Sequence, residues 1–511
     1  MMSVRSARRK GAGLTRILFD LSGAGQGYTG IGHDSRLIFS MLSANKNIAL
    51  SGLIYPNNRV SMPKLHASAK ALPARIAAII QATAVRPRPA PRAALDVIET
   101  FWKQYMGAGR ATHSIAQIPD WMKSDAIWRI LFDKSLPPEQ REAILAHDFF
   151  VSDVSVAQMV DRSIHFPRRR YKLLDAAGFD AVVFPVPRPV RLPTGVRRVV
   201  RYHDAIPLTH PDTVGGQWSS IKREYEYTRF AASDGVFVCN SPMSVDDLDN
   251  LVPGTGERSV AIPCAIDDTD ATEFAEEDVR RIIERRLADP ALSSASSAAP
   301  SAAAAQNIDA IGNADLGPRA DRLRYIISVS ALEPRKNFVN AIRAWELLRA
   351  RTKQDIKFVI VGSGGWLNVP ILTAMRPHVR ARNLFHLENV TAVELRQLYA
   401  RAELCVFPSF AEGFGFAPLE ALQRGTPSVV SSLPVFKWSL QDAAAFADPY
   451  DPFEICRRIE DLLDVPENAN YRRDILSKAP AVLQRFSIGH VSKLWDEFFQ
   501  TTLRTIPARP A

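Results

Sequence analysis

The chain has 511 residues, 46% hydrophobic and 23% charged, which is the balance of a soluble globular protein and too much sequence for one ordinary core. Against 54 Asp and Glu stand 64 Lys and Arg, a net charge of +10 that fits a solubilising surface or attraction to nucleotide phosphates, lipid phosphates or nucleic acid without choosing among them. Four cysteines (Cys239, Cys264, Cys405, Cys456) without CxxC spacing argue against zinc and disulfide scaffolds, and no uncharged apolar stretch reaches the ~18 residues of a spanning helix.

Residues 1–15 form a basic tail, and Met1 to Lys10 are not followed by the apolar h-region of a secretory signal. The apolar run 16–20 predicts a strand that opens into the Gly-rich stretch 21–32, with a helix from His33 to about Ser43. Strand, Gly-rich loop and helix open a doubly wound α/β domain, and 50–55 reads as its next strand. Pro and Arg punctuate 60–170, which reads as a helical insertion with helices near 93–106 and 138–147. Its Arg168, Arg169 and Arg170 read as a solvated face. Strands resume at 181–185, 198–203, 235–239 and 259–262, closing an N-terminal Rossmann-like domain over 16–267.

Residues 268–318 turn acidic and then, over 293–305, almost wholly Ala, Ser and Pro. Such a segment cannot bury enough apolar area to offset its ordering entropy and reads as a low-complexity linker or surface excursion. A second Rossmann-like domain over 319–488 alternates helices with strands at 325–330, 357–361, 384–387, 404–407 and 428–431. This pattern predicts a parallel sheet covered on both faces. The helix 489–503, ahead of a short tail, is expected to pack back on the first domain. Two such halves leave a cleft, and ligands bind beyond the carboxyl ends of the strands.

Four groups of residues stand at such strand ends. After 404–407 come Glu412, Gly413, Phe414, Gly415 and Phe416, then Pro418 and Glu420 in what reads as a first helical turn. The helix start can hold an anion, the glycines admit a ligand close to the backbone, and the carboxylates can accept hydrogen bonds from vicinal hydroxyls. Two carboxylates alone would read as ordinary surface acids; joined to Gly-x-Gly at a strand-to-helix switch they do not. After 325–330 come Glu333, Pro334, Arg335, Lys336 and Asn337 at the start of an amphipathic helix. Cations there oppose the helix dipole, a penalty that a bound diphosphate would remove, although two solvated basic residues explain the pattern equally well. Gly30 and Gly32, beside Thr29 and His33, are a weak signal that a tight turn also explains. His203 and Asp204 end the strand 198–203, and a core histidine is the plainer reading of His203.

Glu412 and Glu420, with seven residues between them, the run Pro-Ser-x-x-Glu-Gly-Phe-Gly around Glu412, and Gly425, Thr426 and Pro427 beyond, resemble the Glu-x7-Glu motif of glycosyltransferase family 4. The resemblance covers roughly 16–55, 195–265 and 320–500 and implies the α/β GT-B fold, two Rossmann-like domains facing across an interdomain cleft. It further implies that Glu412 contacts donor-sugar hydroxyls, Glu420 holds the ribose and the backbone at Phe414–Phe416 lines sugar and phosphate. By the same likeness Arg335 and Lys336 clamp the diphosphate, His203 stands near the transferred sugar, and Gly30 and Gly32 approach the donor phosphate or the acceptor. By resemblance, too, Asn389 and Val390 lie beside the base. Relatives often place an acid after the position of Pro434, where this chain has Val435 to Trp438.

The expected activity is retaining, metal-independent transfer of a hexose from a nucleoside diphosphate sugar to a saccharide or lipid-linked saccharide acceptor, in cell-surface polysaccharide synthesis. The Glu333–Asn337 run resembles that of mannosyltransferase-like bacterial members, which slightly favours GDP-mannose over UDP-sugars. No cofactor and no metal are expected, since no Asp-x-Asp stands at a strand end with suitable partners. The resemblance also implies that the leaving phosphate itself takes the acceptor proton. The expected location is cytoplasmic, with peripheral contact to an anionic membrane face compatible with the charge. Rival readings are a GT-B epimerase, a phosphorylase and a non-catalytic GT-B binding protein. An NAD dehydrogenase lacks its GxGxxG with a distant acid, and a nucleic-acid binder lacks an aromatic platform.

Overall fold

In the computed structural model of the chain, residues 14–25, 29–55, 112–120, 123, 125–153, 155, 156, 159, 160, 171–214, 218–267, 276–288 and 323–506 are described. Most of the basic tail, the helix expected near 93–106, Arg168 to Arg170 and the Ala-Ser-Pro run 293–305 lie outside them. The chain divides into two units, one of residues 1–203, 222–263 and 491–511, the other of 204–221 and 264–490.

Among the described residues the first unit holds ten strands: β1 (Thr15–Asp20), β2 (Ile48–Ile54), β3 (Thr112–His113), β4 (Ile115–Gln117), β5 (Asp148–Ser152), β6 (Leu173–Leu174), β7 (Ala181–Phe184), β8 (Arg197–Tyr202), β9 (Gly235–Cys239) and β10 (Ser259–Ala261). Eight of them form one sheet in the order β10-β9-β8-β7-β1-β2-β5-β4, and β3 pairs with β6 apart from it. Pairing in the large sheet is parallel except between β4 and β5. Ile17, Leu18, Phe19 and the whole of β7 are buried, the continuous apolar run of a strand covered on both faces.

Two expectations are corrected here. The segment 60–170 is not simply a helical insertion, because β4 and β5 extend the main sheet from within it. Phe149 and Val151 of β5 are fully buried, but a five-residue strand beside a helical stretch leaves little periodic signal. The helix that follows the glycine stretch begins at Gly30, not His33, because the Thr29 hydroxyl accepts the Gly32 N–H at 3.1 Å and caps it. Gly30 and Gly32 therefore belong to the first turn of a 14-residue helix, Gly30–Ser43. That helix is fastened to β8 by a buried pair: Arg201 grips both oxygens of Asp34, at 2.8 and 3.2 Å. Residues from Val491 onward also belong to this unit, with Trp495, Phe498 and Phe499 buried and Arg197 donating to the Leu503 carbonyl at 2.7 Å.

The second unit is a six-stranded, wholly parallel sheet of β11 (Tyr325–Val329), β12 (Lys357–Val361), β13 (Leu384–Leu387), β14 (Cys405–Phe407), β15 (Ser428–Ser431) and β16 (Ala445–Ala447). Its order, β13-β12-β11-β14-β15-β16, is the dinucleotide-fold order, and the direction of winding reverses between β11 and β14. The helix Phe338–Thr352 buries Phe338, Ile342, Trp345 and Leu348, the amphipathic stripe legible in its sequence. A helix also runs over Glu276–Ala288, inside the segment taken as a linker, with Val279, Ile282 and Ile283 buried. Apolar spacing of three and four residues gives it a face to bury, despite the polar composition around it. The four cysteines are buried free thiols. Among the described residues no helix is long and apolar enough to cross a membrane.

Candidate active site

The reversal between β11 and β14 leaves a crevice at their carboxyl ends, and the two loops that leave those strands meet there. The first loop is a short 3-10 turn, Pro334–Lys336, ended by Asn337 in the left-handed conformation at φ 58°. Arg335 and Lys336 therefore precede the helix Phe338–Thr352 rather than projecting from its first turn. Asn337 is 3% exposed, and its side-chain amide donates to the carbonyls of Pro408 (2.8 Å) and Pro449 (2.7 Å). The Phe410 N–H donates to the Arg335 carbonyl at 2.8 Å. These contacts lock the β11 loop against the β14 loop.

Glu412 sits where the loops converge. Its side chain is 5% exposed and takes Lys336 Nζ at 2.5 Å, Arg335 Nη1 at 3.1 Å and the Ser409 hydroxyl at 2.8 Å. Burial pushes this carboxyl upward, but Lys336 and Arg335 outweigh burial and hold it below the ordinary carboxylate range. Lys336, with its Nζ 4.9 Å from the centre of the Phe407 ring, is lowered by burial although Glu412 opposes the shift. Arg335 is held charged by Glu412, Glu333 and Asp204 against the cost of its own burial. Glu333, whose carboxylate accepts from Arg335 Nε at 2.9 Å, is raised by burial. The anion that the two cations call for is thus partly supplied from within, by Glu412.

The stretch after Glu412 turns on one glycine. Gly415 has φ 85°, and a β-carbon there would lie 2.4 Å from the Phe436 ring, so both backbone and packing demand glycine. Gly413, Phe414 and Gly415 are buried. The helix that follows, Phe416–Gln423, begins so early that Glu420 falls in its second turn, not its first. Glu420 is held by the Tyr399 hydroxyl at 3.2 Å, and burial raises its carboxyl while that hydrogen bond opposes the rise. Where relatives place an acid after Pro434, the helix Pro434–Leu440 buries Val435 and Phe436.

At the carboxyl end of β13, Asn389 adopts φ 53° and Val390 is 9% exposed. Glu388 accepts the Gly364 N–H at 3.0 Å, linking this turn to the loop after β12. Gly362 in that loop approaches the Ser330 carbonyl so closely that a β-carbon would stand 2.0 Å from it. Glu412, Arg335, Lys336, Gly413, Phe414, Gly415, Phe416, Glu420, Asn389 and Val390 all belong to the second unit. Gly30, Gly32 and His203 belong to the first, where His203 Nε2 lies 3.0 Å from the Pro185 carbonyl. Ser409 was missed as a partner of Glu412, Glu333 as the buried acid that orients Arg335, and Asn337 as the tie between loops. The latter two stand inside the Glu333–Asn337 motif, and the spacing of acid, cation and amide around Pro334 was the available signal. Among the described residues no group of three or more His, Cys, Asp or Glu is placed to hold a metal ion.

Residues 317–479 match the family described as "Glycosyl transferases group 1". The chain is similar to the serotype-specific mannosyltransferase WbdA of Escherichia coli, 34% identical over 29% of this chain and 18% of the relative. It is also similar to the O-antigen chain mannosyltransferase B of Escherichia coli, 30% identical over 32% of this chain and 42% of the relative. It thus spans less than half the length of these curated relatives. Among solved structures, sucrose-phosphate synthase from Thermosynechococcus elongatus superposes with a TM-score of 0.52 at 12% identity, over 96% of this chain and 99% of that one. Anabaena HepE in complex with UDP-glucose gives 0.51 at 14%, over 95% and 99%. These likenesses extend along nearly the whole chain, and the family match falls on the sheet whose strand reversal positions Glu412. The chain therefore has the GT-B fold, and its residues 317–479 match glycosyl transferases group 1.

Proposed function

We propose that the protein is a retaining, metal-independent hexosyltransferase, a mannosyltransferase using GDP-mannose ahead of UDP-sugars, that extends a saccharide or lipid-linked saccharide of a cell-surface polysaccharide such as O-antigen. The observation that carries this reading is the buried Glu412 carboxylate held on Arg335 and Lys336 beyond the carboxyl ends of β11 and β14. The mannosyltransferase names of the relatives and the UDP-glucose in the HepE complex support the donor class.

On this reading the donor diphosphate lies against Arg335 and Lys336. Lysine carries three N–H donors and the guanidinium five, more than Glu412 and Glu333 use, so oxygens of a second anion can share them. As the glycosidic phosphate bond breaks, charge grows on the leaving oxygen, and preorganised cations in a water-poor site stabilise that growth. The leaving phosphate then takes the proton of the acceptor hydroxyl, which attacks from the same face and so retains the anomeric configuration. Glu412 turns its carboxylate to donor-sugar hydroxyls, Glu420 to the ribose, and His203 stands by the transferred sugar.

The test is transfer assayed with GDP-mannose and UDP-sugars, with the product's anomeric configuration read by NMR. Lys336→Ala should slow turnover about 100- to 1000-fold, the usual effect of removing one donor to developing charge. Turnover near that of the unaltered protein would strike Lys336 from the mechanism. Chelator should leave the rate unchanged; a loss that Mg²⁺ restores would refute metal independence.

A further inference from the structure

The helix Glu276–Ala288 stands in the segment to which the sequence assigns no task, and it packs on the helix Ala392–Arg401 and on β13. Its Arg285 and Arg286 both hydrogen-bond the Glu394 carboxylate, Arg286 through two nitrogens to the two oxygens. Glu394 is already part of a complete capping box. It accepts the Thr391 N–H at 2.8 Å and the Thr391 hydroxyl at 2.9 Å, while the Thr391 hydroxyl accepts the Glu394 N–H at 3.3 Å. A capping box needs no arginine. The two guanidiniums therefore do something further: they clamp the capped end of Ala392–Arg401 to a helix from outside the sheet.

What hangs from that end is the donor side of the candidate site. In the turn that leads into Thr391 stand Asn389, in the left-handed conformation at φ 53°, and Glu388, which accepts from Gly364. A non-glycine residue held there persists only where its surroundings fix it. Two turns further along the same helix, Tyr399 donates to Glu420. One rigid helix thus joins the Arg286 clamp at its first turn to the turn at Asn389 and to the carboxylate of Glu420.

We infer that Arg286 and Glu394 are positioning residues for nucleotide binding. Through the helix Ala392–Arg401 they fix the turn Glu388–Thr391 and the Glu420 carboxylate, so that the segment Glu276–Ala288 sets donor affinity without touching the donor. The inference rests on the function proposed above and adds a residue pair that acts on binding rather than on the chemical step. An interaction that orders the site before and after the donor reacts is uniform binding, which appears in KM and leaves kcat in place.

The experiment is donor kinetics on the full chain carrying Arg286→Ala, Arg286→Lys, Glu394→Gln and the Arg286→Ala/Glu394→Gln double change, with GDP and UDP affinities by calorimetry. Arg286→Ala should raise the donor KM and the nucleoside diphosphate Kd about tenfold, with kcat within about twofold. Arg286→Lys should recover part of the loss, since lysine keeps the charge and forfeits the bidentate grip. The double change should cost no more than the larger single one, because both act through one contact. Where Arg286→Ala fails to fold, the Arg286→Lys and Glu394→Gln values carry the same comparison. Unchanged KM and Kd with a lowered melting temperature would make the clamp purely structural and overturn the inference alone. An unaltered protein that binds neither GDP nor UDP would remove the proposed function and the inference together.

Discussion

At the scale of single residues, Glu412 has exchanged water for two cations and a hydroxyl, and acid and cations form one ion cluster. Glu412→Gln leaves Arg335 and Lys336 facing a neutral amide. It should lower unfolding stability by about 2 kcal/mol, the scale of a lost hydrogen bond to a charged group. The same change frees both cations for phosphate, so a nucleoside diphosphate should raise the melting temperature of Glu412→Gln more than that of the unaltered protein, even as transfer falls. A smaller rise would show that Glu412 helps to hold the ligand rather than competing with it. The residue types of this site were legible in the sequence because the acids and cations stand in compact motifs. Their pairing was not: Glu412 meets Arg335 and Lys336 across 77 and 76 residues, and no spacing rule reaches that far. Glu420 was placed in the wrong turn because the left-handed Gly415 starts its helix at Phe416, a choice that Phe436 enforces from a strand away.

At the scale of elements, that glycine invites a direct test. Gly415→Ala forces a β-carbon into the Phe436 ring and an L-residue into a positive φ, and should cost about 1–3 kcal/mol of stability, read from denaturant midpoints. The capped helix Ala392–Arg401 makes a pH prediction. Burial pushes the Glu394 carboxyl up, but the hydrogen bonds of Arg286, Thr391 and Arg285 prevail and bring it down to about 2 from the ordinary 4.5. Between those values the unfolded chain binds a proton that the folded chain refuses. The contribution of Glu394 is therefore whole above 4.5 and drains away as the pH falls through about 2. Unfolding midpoints of the unaltered protein and of Glu394→Gln should be far apart at neutral pH and should draw together on acidification. A constant gap would mean that the carboxylate is not so perturbed. The parallel strands were plain in the sequence because buried strands are written as unbroken apolar runs. The starts of helices were less so. Glycine at Gly30 argues against a helix by propensity, and the Thr29 cap, worth about 1 kcal/mol, decides otherwise. The helix Glu276–Ala288 was lost in its surroundings, although Val279, Ile282 and Ile283 spell one buried face.

At the scale of the whole molecule, the first unit depends on residues that follow the whole of the second. Trp495, Phe498 and Phe499 are each at most 2% exposed. Loss of a buried aromatic side chain costs about 3–5 kcal/mol, and three such losses consume the 5–15 kcal/mol that hold a domain folded. A chain ended before Val491 should lose the unfolding transition of the first unit in calorimetry while that of the second persists. Survival of both transitions would show that the helix Ile488–Glu497 is dispensable.

The backbone passes from one unit to the other after His203, Ile221, Pro263 and His490. During synthesis the sheet that starts first is therefore finished last: β1 is made well before the whole of the second sheet, yet Trp495, buried in the same unit as β1, is made after it. The sheet that carries Glu412 has all its strands by Ala447 and can close while the earlier one still waits. Nascent molecules thus hold an incomplete first unit until the residues beyond His490 are made, and that unit is where chaperone demand and premature breakdown should concentrate.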